Sequence, residues 1–293
     1  MLPLKDRFLT GLYVCHEGKA LLIDCGEGMQ VALAKAEIRL STIELVLITH
    51  AHADHVTGLP GLLLSMGNCS RDRGLDIFYP ESCDKVIRSL LTVCGRLPFE
   101  VRLKALPDRE STTFDYSPIG EMFTIKTLPL RHSVRCLGYS MQLDKKPVFQ
   151  PENAKALGVP VEKWRLLHSG QSVTLEDGRI IKPSQVTGAK RDPIKITYVT
   201  DTLPFDEIAD FAKGSQLFVC EGMYGEEDKK QSMDQKGHML MQDACELAKK
   251  AQAQRLWLTH YSPAQKHPQQ FEKQLRRIFD PVVISEDGAK MTL

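Results

Sequence analysis

Thr49-His50-Ala51-His52-Ala53-Asp54-His55 places three imidazoles and a carboxylate within six consecutive residues. Its neighbours say how they are presented. Ile43-Glu44-Leu45-Val46-Leu47-Ile48, just before it, reads as a buried strand. Gly58-Leu59-Pro60-Gly61-Leu62-Leu63-Leu64-Ser65-Met66, just after it, carries Leu59, Leu62, Leu63 and Met66 at helical spacing. The stretch therefore falls on a strand-to-helix turn. Imidazole and carboxylate are the donor set for zinc and similar borderline divalent ions. Alternate side chains of an extended backbone point the same way, so His50 and His52 can share one metal. Asp54 and His55 fall where the chain curls into the helix, which suits a second metal nearby. A structural role for so dense a cluster at the end of an apolar strand is hard to find.

Working outward, Gly11–Cys15 and Ala20–Cys25 read as two strands joined by the turn Glu17-Gly18-Lys19, and a helix starts at Gln30 after Gly26-Glu27-Gly28. Ile77–Pro80 reads as a short strand, Cys83–Cys94 as an amphipathic helix, and 98–146 mostly as strands. Four later apolar runs share the design of the first, each ending in a residue able to bind metal or move protons. Thr127–Arg131 ends in His132, Ile196–Thr200 in Asp201, Leu217–Cys220 in Glu221 and Leu256–Thr259 in His260. Ligands gather at the carboxyl ends of strands in layered α/β proteins, so one rim can hold all these groups. Helices over about 205–212, closed by Gly214, and 241–253, with Ala244, Leu247, Ala248 and Ala251 on one face, give the last third a strand-helix-strand alternation.

The stretch 147–192 differs. It is rich in Pro, Gly and charge, has no such strand ending, and reads as an insertion standing off the core. It carries Lys155, Lys163, Arg165, Arg179, Lys182, Lys190 and Arg191, with Trp164 among them. A solvated charged loop and a binding surface are equally compatible with that composition.

The 293 residues suffice for one large domain or two small ones, and 42% hydrophobic with 26% charged residues is an ordinary soluble balance. No apolar run is long enough to span a bilayer and no secretory signal is present. A formal net charge of +1 gives no global pull on nucleic acid, so a polyanion site must be a local patch. The eight cysteines contain no CxxC pair and read as reduced thiols of a cytoplasmic protein.

His50-x-His52-x-Asp54-His55 resembles the signature of the metallo-β-lactamase superfamily. The detailed resemblance is to the ribonuclease Z family of tRNA 3′-processing endonucleases, and it covers nearly the whole chain. It runs through Phe8-Leu9-Thr10, Asp24-Cys25-Gly26-Glu27-Gly28-Met29-Gln30, Gly58-Leu59-Pro60-Gly61-Leu62, Thr200-Asp201-Thr202, Lys236-Gly237-His238-Met239 and Leu258-Thr259-His260-Tyr261-Ser262-Pro263. The metal signature marks only the superfamily; Gly237-His238 together with the insertion is more specific for ribonuclease Z. The resemblance implies an α/β fold, a four-layer α/β/β/α sandwich, as one hydrolase domain over 1–293 with a protruding arm at about 147–192. It implies two zinc ions, one held by His50, His52 and His132, the other by Asp54, His55 and His260, with Asp201 bridging. It also implies precursor tRNA as substrate and a homodimer whose arm reaches substrate on the other subunit. Family members begin with a further strand and glycine-rich turn ahead of the position of Met1, so the expectation is a truncated start or a first sheet short of one strand. The arm's usual Gly-Pro-rich tip is replaced by Val161-Glu162-Lys163-Trp164-Arg165-Leu166-Leu167-His168, and Ser262-Pro263 is followed by Ala264-Gln265-Lys266-His267-Pro268 in place of the family's Arg-Tyr ending.

Phosphodiesters resist hydrolysis because an anion must attack an anion, and two metals offset that repulsion. Asp54, able to ligate and to accept a proton, is the candidate general base. His238 and Glu221 are not needed as ligands; a carboxylate beside an imidazole favours its protonated form, which can donate to the leaving ribose oxygen. Lys163 and Arg165 are candidates for phosphate contacts, and Trp164 for packing on a base or ribose. Two competing functions remain: a hydrolase of a small phosphodiester or related ester on the same fold, and a binding protein with a spent metal site, which seven filled ligand positions disfavour.

Overall fold

The protein is described by a computed structural model covering residues 3–5, 7–120 and 123–293. Glu121 and Met122, inside the stretch expected to be mostly strand, lie outside the described residues. The first half builds β1 (Leu12–His16), β2 (Lys19–Ile23), α1 (Met29–Lys35), β3 (Ile43–Leu47), α2 (Ala53–Val56), α3 (Leu59–Asn68), β4 (Leu75–Pro80), α4 (Asp84–Leu91) and β5 (Val101–Leu106). Among the described residues these strands form one sheet in the order β1-β2-β3-β4-β5. β1 and β2 are an antiparallel hairpin turned by Glu17 and Gly18 in left-handed backbone (φ 47° and 78°), as a two-residue type I′ turn requires. The remaining pairs are parallel. β4 is buried at every position, the continuous burial of a parallel strand covered on both faces. The amphipathic helix expected over Cys83–Cys94 is α-helical over Asp84–Leu91 only, with a 3-10 turn at each end.

Three strands follow: β6 (Thr113–Asp115), β7 (Phe123–Leu130) and β8 (Cys136–Leu143). Residues 143–194 then make a compact unit of their own, with α5 (Pro151–Ala156), α6 (Trp164–His168), β9 (Val173–Thr174) and β10 (Ile180–Ile181). It has a small core of Ala154, Val159, Leu167, Val173, Leu175, Ile181 and Val186, against which Phe149, Leu157 and Trp164 pack. Its two ends pair as a stem: Gly188 N donates to Val148 O at 2.8 Å and Gln150 N to Val186 O at 2.7 Å.

The chain returns to the larger unit with β11 (Ile194–Val199), α7 (Asp206–Ala212), β12 (Leu217–Glu221), α8 (Lys230–Lys236), α9 (Met241–Lys250), β13 (Leu256–Thr259), α10 (Glu272–Leu275) and β14 (Val282–Ile284). The second sheet runs β14-β13-β12-β11-β8-β7-β6, with β11 to β14 mutually parallel. α7 and α9 bury Ile208, Phe211, Ala244 and Leu247 on its outer face. α1, α3 and α4 bury Met29, Leu33, Leu59, Leu62, Leu63 and Ile87 on the outer face of the first sheet. Between the sheets, Tyr139 Oη donates to Ile48 O at 2.6 Å and Leu137 N to Thr49 O at 2.9 Å. The result is an α/β/β/α sandwich, and its parallel strands from both sheets end on one rim.

Candidate active site

Each functional side chain stands where an apolar strand runs out. β3 delivers His50 and His52, β7 delivers His132, β11 Asp201, β12 Glu221 and β13 His260; Asp54 and His55 lie on α2. Asp201 and His260 take left-handed backbone (φ 51° and 57°), which costs a non-glycine residue about 1–3 kcal/mol and persists only where the surroundings enforce it. Behind the turn of α2 the chain needs Gly58: a Cβ there would lie 2.0 Å from Gly26 O.

Two groups of donors converge. In the first, His50 Nε2 is 3.0 Å from His52 Nδ1, His132 Nε2 is 3.2 Å from His52 Nδ1, and Asp201 Oδ2 is 3.5 and 3.7 Å from His50 and His132. In the second, His55 Nε2 and His260 Nε2 are 3.2 Å apart, and Asp54 Oδ2 lies 3.7 and 3.5 Å from them. Asp201 Oδ1 faces this second group, 3.6 Å from His55 and 3.2 Å from His260. One carboxylate thus turns one oxygen to each group. Donors around a tetrahedral ion with bonds of 2.0–2.2 Å stand about 3.3–3.6 Å apart, so both groups have the spacing of a divalent-metal site.

The backing of the rings sets which nitrogen carries a lone pair. His132 Nδ1 donates to Gly237 O at 2.9 Å, and His55 Nδ1 donates to Asp24 Oδ2 at 2.8 Å, leaving each Nε2 for a metal. Asp24 is wholly buried and is held by Thr49 N and Thr49 Oγ1 at 2.8 and 2.9 Å. Gly237 is left-handed (φ 73°), and a Cβ there would sit 2.9 Å from His132 Nδ1. Electrostatics separates the two groups. Burial, with repulsion from His55, holds His50 well below the usual imidazole range, and burial lowers His52 and His132. Burial also opposes charge on His55, but Asp201 and Asp24 overcome it and raise that ring well above the usual range. Burial works against ionised Asp54, yet its hydrogen bond with His260 and the charge of His55 hold its carboxyl low.

His238 stands beside the second group. Its Nδ1 is 2.8 Å from Glu221 Oε2, its ring stacks 5.8 Å from that of His260, and Glu221 Oε1 accepts from Thr202 N at 2.5 Å. Sequence reasoning expects the carboxylate to favour a protonated ring. Burial reverses the balance: it lowers His238, and burial reinforced by Asp201 raises Glu221 well above the carboxylate range. The pair is therefore one hydrogen-bonded unit, 2.8 Å between Nδ1 and Oε2, in which burial disfavours charge on either partner.

The residues expected to touch substrate lie within the 143–194 unit. Trp164 Nε1 donates to Val159 O at 3.0 Å and its ring packs 5.5 Å from that of Phe149; Lys163 Nζ donates to Thr174 O at 2.6 Å. Trp164 thereby helps to close the unit's small core. Arg165 is exposed. Asp24, Thr49 and the Gly237 carbonyl were not singled out from sequence; the nearest signal was Asp24 ending an apolar strand, the same design as the ligand-bearing strands.

Two facing sheets with paired His/Asp donor groups at the strand ends define a hydrolase of the metallo-β-lactamase fold. Residues 185–261 match the family model described as Beta-lactamase superfamily domain, and residues 4–154 match that described as Anti-Pycsar protein Apyc1. The chain is 39% identical to ribonuclease Z of Lachnospira eligens over 100% of its length and 94% of the relative's, and 40% identical to that of Clostridium acetobutylicum over 98% and 93%. Among solved structures it resembles the short form of human tRNase Z, with TM-score 0.68, 21% identity and coverage of 100% and 95%. A metallo-β-lactamase fold protein of Bacillus subtilis gives TM-score 0.66, 19% identity and coverage of 98% and 93%. The chain belongs to the ribonuclease Z family, and with it to the metal-dependent hydrolases of phosphodiester bonds.

Proposed function

We propose that this chain is a zinc-dependent endoribonuclease that removes the 3′ trailer from precursor tRNA. His50, His52 and His132 would hold one ion and Asp54, His55 and His260 the other, with Asp201 offering one oxygen to each. The observation that carries this is the division of Asp201, with Oδ2 in the first donor group and Oδ1 in the second. Metal ions held there would supply an acidified water and charge neutralisation for the phosphoryl oxygens. Asp54, whose carboxyl is held low, would orient the attacking water and accept its proton. His238 donates to the leaving ribose oxygen, and Glu221, hydrogen-bonded to its Nδ1, holds the ring in place for that transfer. An anionic phosphate beside His238 would stabilise the protonated ring from which that proton is given.

The 143–194 unit serves as an arm inserted into a single hydrolase domain, Arg165 is its phosphate contact, and the working form is a cytoplasmic homodimer. Among the described residues no helix is long and apolar enough to cross a membrane, and all eight cysteines are free thiols. The test is to map cleavage products on a precursor tRNA and to assay a chromogenic phosphodiester with the same preparation. A cut just after the acceptor stem supports the proposal. Turnover of the small ester with no cut in tRNA would favour a small-phosphodiester hydrolase.

A further inference from the structure

Arg7 reaches across the sequence to the loop that follows His260. Its guanidinium donates to the carbonyls of Tyr261, Ser262 and Gln265 at 3.3, 3.1 and 2.8 Å, and lies 5.8 Å from the centre of the Tyr261 ring. Three carbonyls turned toward one side chain call for a planar cation with several fixed donors, which lysine does not provide. The clamped residues begin directly after His260, whose left-handed backbone must be enforced from outside. This enforcement comes from three sides: the Arg7 clamp, Tyr261 Oη donating to Leu258 O at 2.5 Å, and Ser262 N donating to Met223 O at 3.0 Å.

The rest of the segment leads to the other half of the same donor group. Phe8 N donates to Asp287 Oδ2 at 2.6 Å, which anchors the strap next to Arg7. Leu9 packs on Gly26, its Cβ only 2.4 Å from where a Cβ on Gly26 would stand. Cys25 N donates to His55 O at 2.8 Å, and a Cβ on Gly26 would also lie 2.4 Å from Asp54 O. Residues 7–10 therefore touch the support of Asp54 and His55 on one side and the loop of His260 on the other. These three side chains make up the second donor group, and they come from parts of the chain about two hundred positions apart.

We propose that Arg7 is a positioning residue for the second metal site, fixing His260 against Asp54 and His55 while leaving the first site alone. The inference rests on the proposed ligand assignment. A role confined to tying down the N-terminal segment would lower stability without distinguishing the two sites.

The experiment uses the full chain with Arg7→Ala, Arg7→Lys and His260→Ala. Zn²⁺ is titrated against a competing chelator, and the melting temperature of each metal-free protein is recorded alongside. Arg7→Ala should weaken one of two zinc equivalents by about 10- to 100-fold, the range for loss of outer support to a ligand, and leave the other within about twofold. On a chromogenic phosphodiester kcat should fall more than KM. Arg7→Lys should recover melting temperature but only part of the zinc affinity, and it carries the same reading if the alanine variant does not fold. Wild-type affinity at both equivalents, or equal weakening of both, would overturn the proposal. If His260→Ala keeps both equivalents at wild-type affinity, the ligand assignment itself fails and the purpose of the clamp fails with it; a loss at His260→Ala without one at Arg7→Ala condemns the clamp alone.

Discussion

Asp201 carries the geometry of both donor groups, so the cleanest tests of the site change residues on either side of it. His50→Ala and His260→Ala should each lower metal content, read by elemental analysis, and abolish hydrolysis while far-ultraviolet dichroism stays native. His238→Ala should keep both metals and slow cleavage by about 100- to 10,000-fold, the cost of losing a positioned acid; loss of metal would make His238 a ligand, and normal cleavage would make it structural. The unlike charge preferences of the rings give a pH test. A ligating imidazole must be neutral, so protons compete with metal below its pKa. His55 is raised, so competition starts there at higher pH; His50, His52 and His132 are lowered, so their group keeps its metal further into acid. Zinc titrations across falling pH should show the second site emptying first, and simultaneous loss would contradict the assignment. The donors themselves were legible in sequence because they end apolar runs or, for Asp54 and His55, follow directly on the turn after one. Asp24 and Arg7 were not, because their partners stand 31 and more than 250 positions away, beyond the reach of any local pattern.

At the scale of elements, strands and the long helices announced themselves through continuous or periodic apolar residues, and their observed limits differ from the expected ones by a few positions. The 143–194 unit did not announce its core. Its buried residues come singly on short pieces, too few in each for a period to show, while the charged residues between them dominate the composition. Its paired stem dictates how to remove it. Cutting at the stem, with residues 151–185 replaced by a short Gly/Ser bridge from Gln150 to Val186, closes a gap that backbone hydrogen bonds already hold together. A cut over 155–185 would instead leave Ala154 without its core partners. The stem-closed variant should bind precursor tRNA at least about tenfold more weakly in 0.1 M salt, with a shallower salt dependence because phosphate contacts are lost. Turnover of a small phosphodiester should barely change, since the donor groups, His238 and Glu221 lie outside the deletion. Equal loss on both substrates would mean that the unit belongs to the folding core.

For the whole molecule, metal and stability are separable. The apolar clusters on the outer faces of the two sheets contain none of the donors, so the metal-free chain should fold. Each ion then adds to stability by mass action, about 2.7 kcal/mol per site when free zinc is a hundredfold above Kd. Thermal melts with and without chelator should show a lower midpoint without metal at unchanged secondary structure; a chain that is unfolded by the chelator would contradict this. The separation of the donors along the chain has a consequence during synthesis. His55 and His260 meet across 205 positions, and β13, which presents His260, adds to its sheet beside β12 near the very end of the chain. A ribosome that has made the first two hundred residues has made every strand of the first sheet but no complete second site. Synthesis as far as Asp201 therefore leaves the second donor group without His260, and hydrolysis should begin only after β13 has been added.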